Sequence, residues 1–226
     1  MKILYLDEID STNDFCKAHD DGQDLIVVAK SQSKGRGTKG RSFLSQEGGF
    51  YLSIMRHHAK LFSRDAFKVM INTAVAVCKT IENCGLSPVI KWPNDVLING
   101  RKVSGTLIEN TFSGNRVARS IVGVGLNVNN TLSPELEQIA TSLSQEKGKK
   151  LDVEKITDFF ISALNDEYTV ADYKKYINWF GLPITLVKGD EKLVVVAKDV
   201  ALDGRLICQI DGKEVQVSSG EVTLRF

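Results

Sequence analysis

From Gly181-Leu182-Pro183 to its end the chain reads only as short strands: Ile184 to Val187, Leu193 to Lys198, Arg205 to Ile210, Glu214 to Val217 and Val222 to Phe226. Gly189-Asp190, Asp203-Gly204 and Asp211-Gly212 supply the turns between them. About 45 residues of this kind fold as a small β-barrel rather than as part of a helix-bearing layer. The chain is therefore divided at this point, with one unit over residues 1–180 and a second over 181–226.

The first unit mixes both periodicities, as an α/β domain does. Lys2 to Leu6 reads as a strand, after which Ser11 offers a helix N-cap with Asp14 at the capping-box position. Leu25 to Ala29 is a continuous apolar run, the mark of a buried strand. Phe50 to Arg56 alternates. Ser63 to Cys84 carries Phe67, Met70, Ile71, Ala74, Val77, Cys78 and Ile81 at helical spacing, closed by Gly85. Strands follow over Val89 to Trp92, Val96 to Ile98, Lys102 to Glu109 and Ala118 to Val128, with Asn99-Gly100 as a two-residue hairpin signal. Ser133-Pro134 opens a helix. A long helix is expected over Val153 to Asn178, with Ile156, Phe159, Phe160, Ala163, Leu164 and Tyr168 on one face.

Composition excludes several classes. The 29 Lys+Arg balance 28 Asp+Glu, so no global field draws the chain to DNA or acidic membranes, and any polyanion site must be local. No run of 18 apolar residues reads as a membrane span. Met1 to Asp7 turns acidic too soon for a signal peptide, and the expected location is the cytoplasm. Cys16, Cys78, Cys84 and Cys208 form no metal-ligand spacing and read as reduced thiols.

The local site is legible between Leu25 and Gln46. Lys30, Lys34, Arg36, Lys39 and Arg41 fall there without a single acid, interleaved with Gly35, Gly37 and Gly40. Glycines let a backbone approach a ligand closely, and the cations suit a carboxylate or phosphate. Gly35 to Gly40 matches GxGxxG, and Gly35 to Ser42 nearly matches a P-loop with Arg41 for the lysine. Neither fits: both motifs must open a helix, and Phe43 to Gly49 is no helix start. Nucleotide binding survives that rejection; the two nucleotide folds do not.

Four motifs in order extend this loop. Asp10-Ser11-Thr12-Asn13 precedes it; Lys91-Trp92-Pro93-Asn94-Asp95, then Gly100-Arg101-Lys102-Val103-Ser104-Gly105, and Gly123-Val124-Gly125-Leu126-Asn127 follow. The set resembles the biotin protein ligase family over the whole chain, with GRGxxGR and KWPND as its specific elements. The resemblance implies a mixed sheet backed by helices, with an SH3-like barrel at the C-terminus. It implies ATP and Mg²⁺ as cofactors, and biotin as a substrate that is activated as biotinyl-5′-AMP. A lysine of a biotin carboxyl carrier protein domain of a carboxylase is then acylated. It implies no resident metal, Mg²⁺ being held by phosphates and water. With Ser11-Thr12-Asn13 so near residue 1, the resemblance is to a short form without an N-terminal DNA-binding domain, so no DNA partner and no membrane partner is expected. Homodimer formation is left open.

Residue roles follow from the same resemblance. Ser11, Thr12, Asn13 and Gln32 match biotin contacts, and Ser11 serves equally as a helix cap. Gly35, Arg36, Gly37 and Thr38 match the loop that folds over biotin and the adenylate. Lys102 matches the lysine on the biotin carboxylate, and Gly105 a small residue beside the biotin rings. Lys91, Asn94 and Asn127 match nucleotide-side contacts, joined by Arg36, Arg41 and Phe43. Asp95 matches the carboxylate that orients or deprotonates the incoming lysine, although a turn after Pro93 accounts for it as well. Arg36, Lys91, Asp95 and Lys102 are the expected catalytic set. Two departures stand out. Thr38 replaces an arginine common in the family, which implies weaker retention of the adenylate. Phe43 replaces a tryptophan, with less stacking area.

Two rivals frame these expectations. A lipoate or octanoate ligase or transferase shares the catalytic fold but lacks GRGxxGR and KWPND. A nucleic-acid-binding module would need aromatics interleaved with the charges, and only Phe43 is near.

Overall fold

The computed structural model describes residues 1–219 and 223–225. The chain runs through β1 (Lys2–Ile9), α1 (Thr12–Ala18), β2 (Leu25–Gln32), β3 (Phe50–His57) and α2 (Phe67–Asn83). It continues with β4 (Val89–Lys91), β5 (Asp95–Ile98), β6 (Arg101–Ser113) and β7 (Arg116–Leu126). Four helices come next: α3 (Pro134–Glu137), α4 (Leu143–Lys147), α5 (Val153–Ala163) and α6 (Val170–Lys174). The last strands are β8 (Pro183–Lys188), β9 (Glu191–Val200), β10 (Leu206–Ile210), β11 (Lys213–Val217) and β12 (Thr223–Arg225).

Seven strands form one mixed sheet in the order β1-β2-β3-β7-β6-β5-β4. Only β1 and β2 pair in parallel, because the connection between them carries α1; the remaining neighbours are antiparallel. Strand alternation sorts the residues onto two faces. Ile26, Val28, Leu52, Ile54, Val122 and Val124 point to one face, where they pack with Ile71, Val75, Cys78 and Phe160 of α2 and α5. On the other face, α1 covers only one end, over a small cluster of Cys16, Leu25, Val27, Met55 and Ile121. The rest of that second face carries no helix.

The C-terminal unit is the expected small all-β unit, a second sheet ordered β11-β10-β9-β8-β12. Ile184, Leu186, Val195, Ala197, Val200 and Leu206 join the main core, so the two sheets share one apolar interior. Of the last expected strand, Thr223 to Arg225 is described, while Val222 and Phe226 lie outside the described residues.

Two expectations need correction. The long helix over Val153 to Asn178 is broken. α5 stops at Ala163, whose carbonyl accepts from the Tyr168 hydroxyl at 2.8 Å. A new helix then starts at Thr169, which forms a reciprocal capping box with Asp172. Apolar spacing persists across the break, but the Thr-x-x-Asp start signal overrides it. Phe159 accordingly lies half-exposed while Phe160 is buried. Helix α2 likewise begins at Phe67, after a single tight turn over Ser63–Asp65. Helix α4 escaped the periodicity reading because only Leu143 of its five residues is buried; a Ser142–Gln145 capping box starts it. The four cysteines are free thiols, as expected. No helix among the described residues is long and apolar enough to cross a membrane.

Candidate active site

Beside α1, on the part of that second face it leaves uncovered, the ladder aligns three glycines. Gly105 of β6 pairs with Gly125 of β7, and Gly123 pairs with Ser53 of β3 and Leu107 of β6. Positions two apart on a strand share a face, so Gly123 and Gly125 both present bare backbone there. This floor opens a cavity of about 680 Å³. The cavity takes its walls from α1, the basic loop, the β4–β5 turn and the segment between β7 and α4. At two of them a side chain would displace a neighbour. A Cβ on Gly123 would stand 2.3 Å from Asn13 Oδ1 and would close the floor. On Gly125, a Cβ would clash with the edge of the Phe43 ring, 2.4 Å from Cε1.

One end of the floor is polar and tightly bonded. Ser11 caps α1, accepting from the Asp14 amide at 3.3 Å. That cap places Thr12 and Asn13, both buried, at the helix start. Thr12 donates through its amide and its hydroxyl to Gln32 Oε1, at 2.9 and 3.0 Å. Gln32 passes on a bond of 2.8 Å to Ser45. Ser53 is the one serine of β3 and is buried. It lies 2.7 Å from Thr12 Oγ1 and 2.5 Å from Asn13 Oδ1. It has one proton to give, so only one of these bonds is donated at a time.

The other end is charged. Lys102 Nζ lies 2.7 Å from Asp95 Oδ1 and 5.6 Å from the centre of the Phe43 ring. Lys91 and Asp95 are cross-strand partners flanking the turn Trp92-Pro93-Asn94, which contains a cis Trp92–Pro93 bond. The turn is held from outside the sheet. The Trp92 indole donates to Gly204 of the C-terminal unit at 2.9 Å, and Tyr173 donates to the Pro93 carbonyl at 2.8 Å. Asn94 donates to the Thr106 carbonyl at 2.9 Å and accepts the Thr106 amide at 3.0 Å through its own carbonyl.

The basic loop forms a hairpin that lines one side of the cavity. Phe43 donates its amide to Gly35, and Gly37 donates to Arg41 at 2.6 Å. Arg36 reaches Asp14 at 2.6 Å and Glu109 of β6 at 3.2 Å. Burial raises the Glu109 pKa, but hydrogen bonds from Lys17 and Asn13 and the charges of Arg36 and Lys17 outweigh it, holding the carboxyl below its ordinary value.

Fifteen of the sixteen expected site residues line this one cavity: Ser11, Thr12, Asn13, Gln32, Arg36, Gly37, Thr38, Arg41, Phe43, Lys91, Asn94, Asp95, Lys102, Gly105 and Asn127. Gly35 stands behind the wall instead. A Cβ there would meet the Phe43 carbonyl at 2.4 Å, so the loop's own packing keeps it small. Asn127 is buried and shapes the wall. It donates to Thr141 and accepts from Asn130, both at 3.1 Å. Sequence reasoning assigned no role to Glu109, Ser53, Gly123 or Gly125, nor to the apolar rim of Leu132, Leu136 and Ile139. Gly123 and Gly125 carried a readable signal, since a spacing of two on a strand puts both on one face.

The sequence model for the biotin/lipoate A/B protein ligase family matches residues 5–127. Over 133 residues the chain is 44% identical to the bifunctional ligase/repressor BirA of Bacillus subtilis, covering 56% of this chain and 40% of that protein. It is 33% identical over 147 residues to a biotin–[acetyl-CoA-carboxylase] ligase of Paracoccus denitrificans, covering 61% of this chain and 60% of that one. The chain spans about half the length of the curated relatives it matches. Among solved structures it is similar to a biotin protein ligase from Aquifex aeolicus in complex with biotin and ATP. The TM-score is 0.81 at 26% identity, covering 99% of this chain and 98% of that one.

Proposed function

The chain belongs to the biotin/lipoate A/B protein ligase family, and on that premise we propose that it activates biotin with MgATP and transfers it to a lysine of a biotin carboxyl carrier domain. In the first step a biotin carboxylate oxygen attacks the α-phosphorus of ATP. The α–β phosphoanhydride breaks, pyrophosphate leaves and biotinyl-5′-AMP remains. In the second, the carrier lysine's neutral amine attacks the acyl carbon, AMP departs and an amide forms.

The observation that carries this reading is the pairing of a polar end with a cationic end across the glycine floor. Asn13 stands over Gly123 and Lys102 over Gly105. These glycines lie on neighbouring strands, offset by roughly 7 Å along the ladder. A flat ring system fits the bare floor. A urea-type head group, with one acceptor and two donors, suits the buried Thr12, Asn13 and Ser53 and the half-buried Gln32. Lys102 takes the carboxylate. A carboxylate and a triphosphate repel each other, and Arg36, Arg41, Lys91 and Lys102 supply the charge that brings them together. Asp95, 2.7 Å from Lys102, is the carboxylate available to orient the carrier lysine and accept its proton. Among the described residues no group of three His, Cys, Asp or Glu gathers as a metal cage, so Mg²⁺ in this reading arrives with the triphosphate.

The family also contains lipoate ligases. An apolar dithiolane would leave the polar end without partners, at a cost that sites of this kind turn into discrimination. None of the four cysteines lines the cavity, which does not suit a cysteine-linked acyl intermediate. The test is pyrophosphate release with biotin against lipoate, followed by mass spectrometry of a carrier domain. Biotin is expected to drive release and to add its mass at one lysine. Faster release with lipoate would replace this reading with the other. Arg36→Ala is expected to lower biotin-dependent release by at least about tenfold, the scale of one lost charge-assisted contact.

A further inference from the structure

Glu109 lies outside every motif that points to the site, yet three elements meet on its carboxylate. Its Oε2 accepts from Asn13 at 2.8 Å and from Arg36 at 3.2 Å, and its Oε1 accepts from Lys17 at 2.6 Å. Asn13 and Lys17 belong to α1, Arg36 to the basic loop and Glu109 to β6. Arg36 also bonds Asp14 at 2.6 Å, so the guanidinium bridges α1 and β6. An ordinary surface ion pair holds two mobile side chains and contributes little. Here the third partner, Asn13, is buried, and its carbonyl is engaged by Ser53 from beneath. One carboxylate therefore fixes the Asn13 amide at the polar end and fastens the loop that lines the cavity.

We propose that Glu109 is a positioning residue: it latches the Arg36 loop against the cavity and sets the orientation of Asn13. This rests on the biotin-activating reading for its substrate and on the structure alone for the latch. The latch acts before the reaction by holding the bound acid in place. Its loss changes ligand retention more than the chemical step.

Glu109→Gln keeps the shape and an acceptor oxygen at the Oε2 position for Asn13, but removes the negative charge that Arg36 pairs with and turns an amide toward Lys17 and Arg36 Nη1. The KM for biotin is expected to rise about tenfold, the scale of one lost charge-assisted bond, with kcat within about threefold of wild type. A role in folding alone would lower the active fraction and leave KM unchanged. Hydrogen exchange of the ligand-free protein provides the second readout. The Gly37 and Phe43 amides, bonded within the loop, are expected to exchange faster while β3 and β7 stay protected. Asp14→Asn weakens the same guanidinium from the α1 side without touching β6. It is expected to move both readouts in the same direction, and it decides the matter should Glu109→Gln loosen the whole fold. Unchanged KM and unchanged loop exchange in both variants would overturn the latch. If the wild type released no pyrophosphate with biotin, the functional reading would fall, and the exchange experiment would still decide the latch.

Discussion

The ring of Phe43 rests on Gly125, where an added Cβ would stand 2.4 Å from Phe43 Cε1. The same ring comes within 3.3 Å of a Cβ built on Gly105. The aromatic that follows the basic loop thus lies on the floor the ligand is proposed to use.

Gly125→Ala is expected to raise the KM for biotin by at least about tenfold while leaving the fold intact, because the ring must leave its seat and the floor is no longer flat. Gly105→Ala should be milder. Its nearest obstacle is the ammonium end of Lys102, 2.9 Å away, which moves easily. Biotin titrations of pyrophosphate release, with circular dichroism melts as control, measure both. A weaker effect at Gly125 than at Gly105 would mean that Phe43 is not the limiting contact.

What the sequence made legible was the chemistry of short segments. Ser11-Thr12-Asn13, the basic loop and Lys91 to Asp95 each announced polar or charged function, and the strand ends they adjoin bring them to one cavity. What it hid were contacts that only the fold creates. Arg36 sits in a stretch free of acids, yet Glu109 reaches it from 73 positions away. Gly35 looked like a ligand contact because glycine serves close approach to ligand and to backbone equally well, and here the approach is to Phe43. The break before Thr169 is invisible to apolar spacing, which runs on across it, and shows only in the Thr169–Asp172 capping signal.

The turn that carries Lys91 and Asp95 depends on a bond to the C-terminal unit. Trp92 is buried and donates to the Gly204 carbonyl at 2.9 Å. Trp92→Phe removes the donor, strands a buried acceptor and leaves a gap. A loss of about 2–4 kcal/mol is expected, or roughly 5–15 °C in melting temperature for a chain of this size. Thermal melts at matched concentration measure it. A shift below about 2 °C would show that the two units are not coupled through this bond.

Burial pushes the Cys16 thiol up to about 12 and the Cys208 thiol to about 11, and raises Cys78 well above its ordinary value. At pH 8 the thiolate fraction at Cys16 is then on the order of one in ten thousand. Iodoacetamide should label half-buried Cys84 first and leave biotin-dependent activity intact, since no cysteine lines the cavity. The sign for stability follows. These thiols ionise more readily when unfolded, so their contribution is complete below the ordinary thiol pKa and declines as pH rises toward the folded values. Peptide mapping during inactivation checks the first point. Activity lost in step with Cys16 labelling would refute it.

Arg41 folds back on Thr38, donating from Nη2 to the threonine hydroxyl at 3.0 Å and from Nε to its carbonyl at 3.2 Å. At the position where the family resemblance implies an arginine, this chain has a threonine with a guanidinium beside it. A threonine alone gives a phosphate no permanent charge, and loss of such a contact weakens binding by about 1.5–3 kcal/mol. Arg41 lines the same cavity as Thr38, and in the proposed reaction it supplies that charge by turning from the Thr38 hydroxyl to the phosphate of biotinyl-5′-AMP. Arg41→Ala is therefore expected to speed adenylate release by about tenfold or more. Thr38→Arg alone should slow release by less than about threefold, because a guanidinium already serves the position. Placed in the Arg41→Ala background, Thr38→Arg should recover most of the lost retention. Release rates of preformed adenylate from the four proteins, measured at one salt concentration, decide the matter. Strong slowing by Thr38→Arg alone, with no effect of Arg41→Ala, would show that the charge missing at position 38 is not replaced and that this chain holds its intermediate loosely.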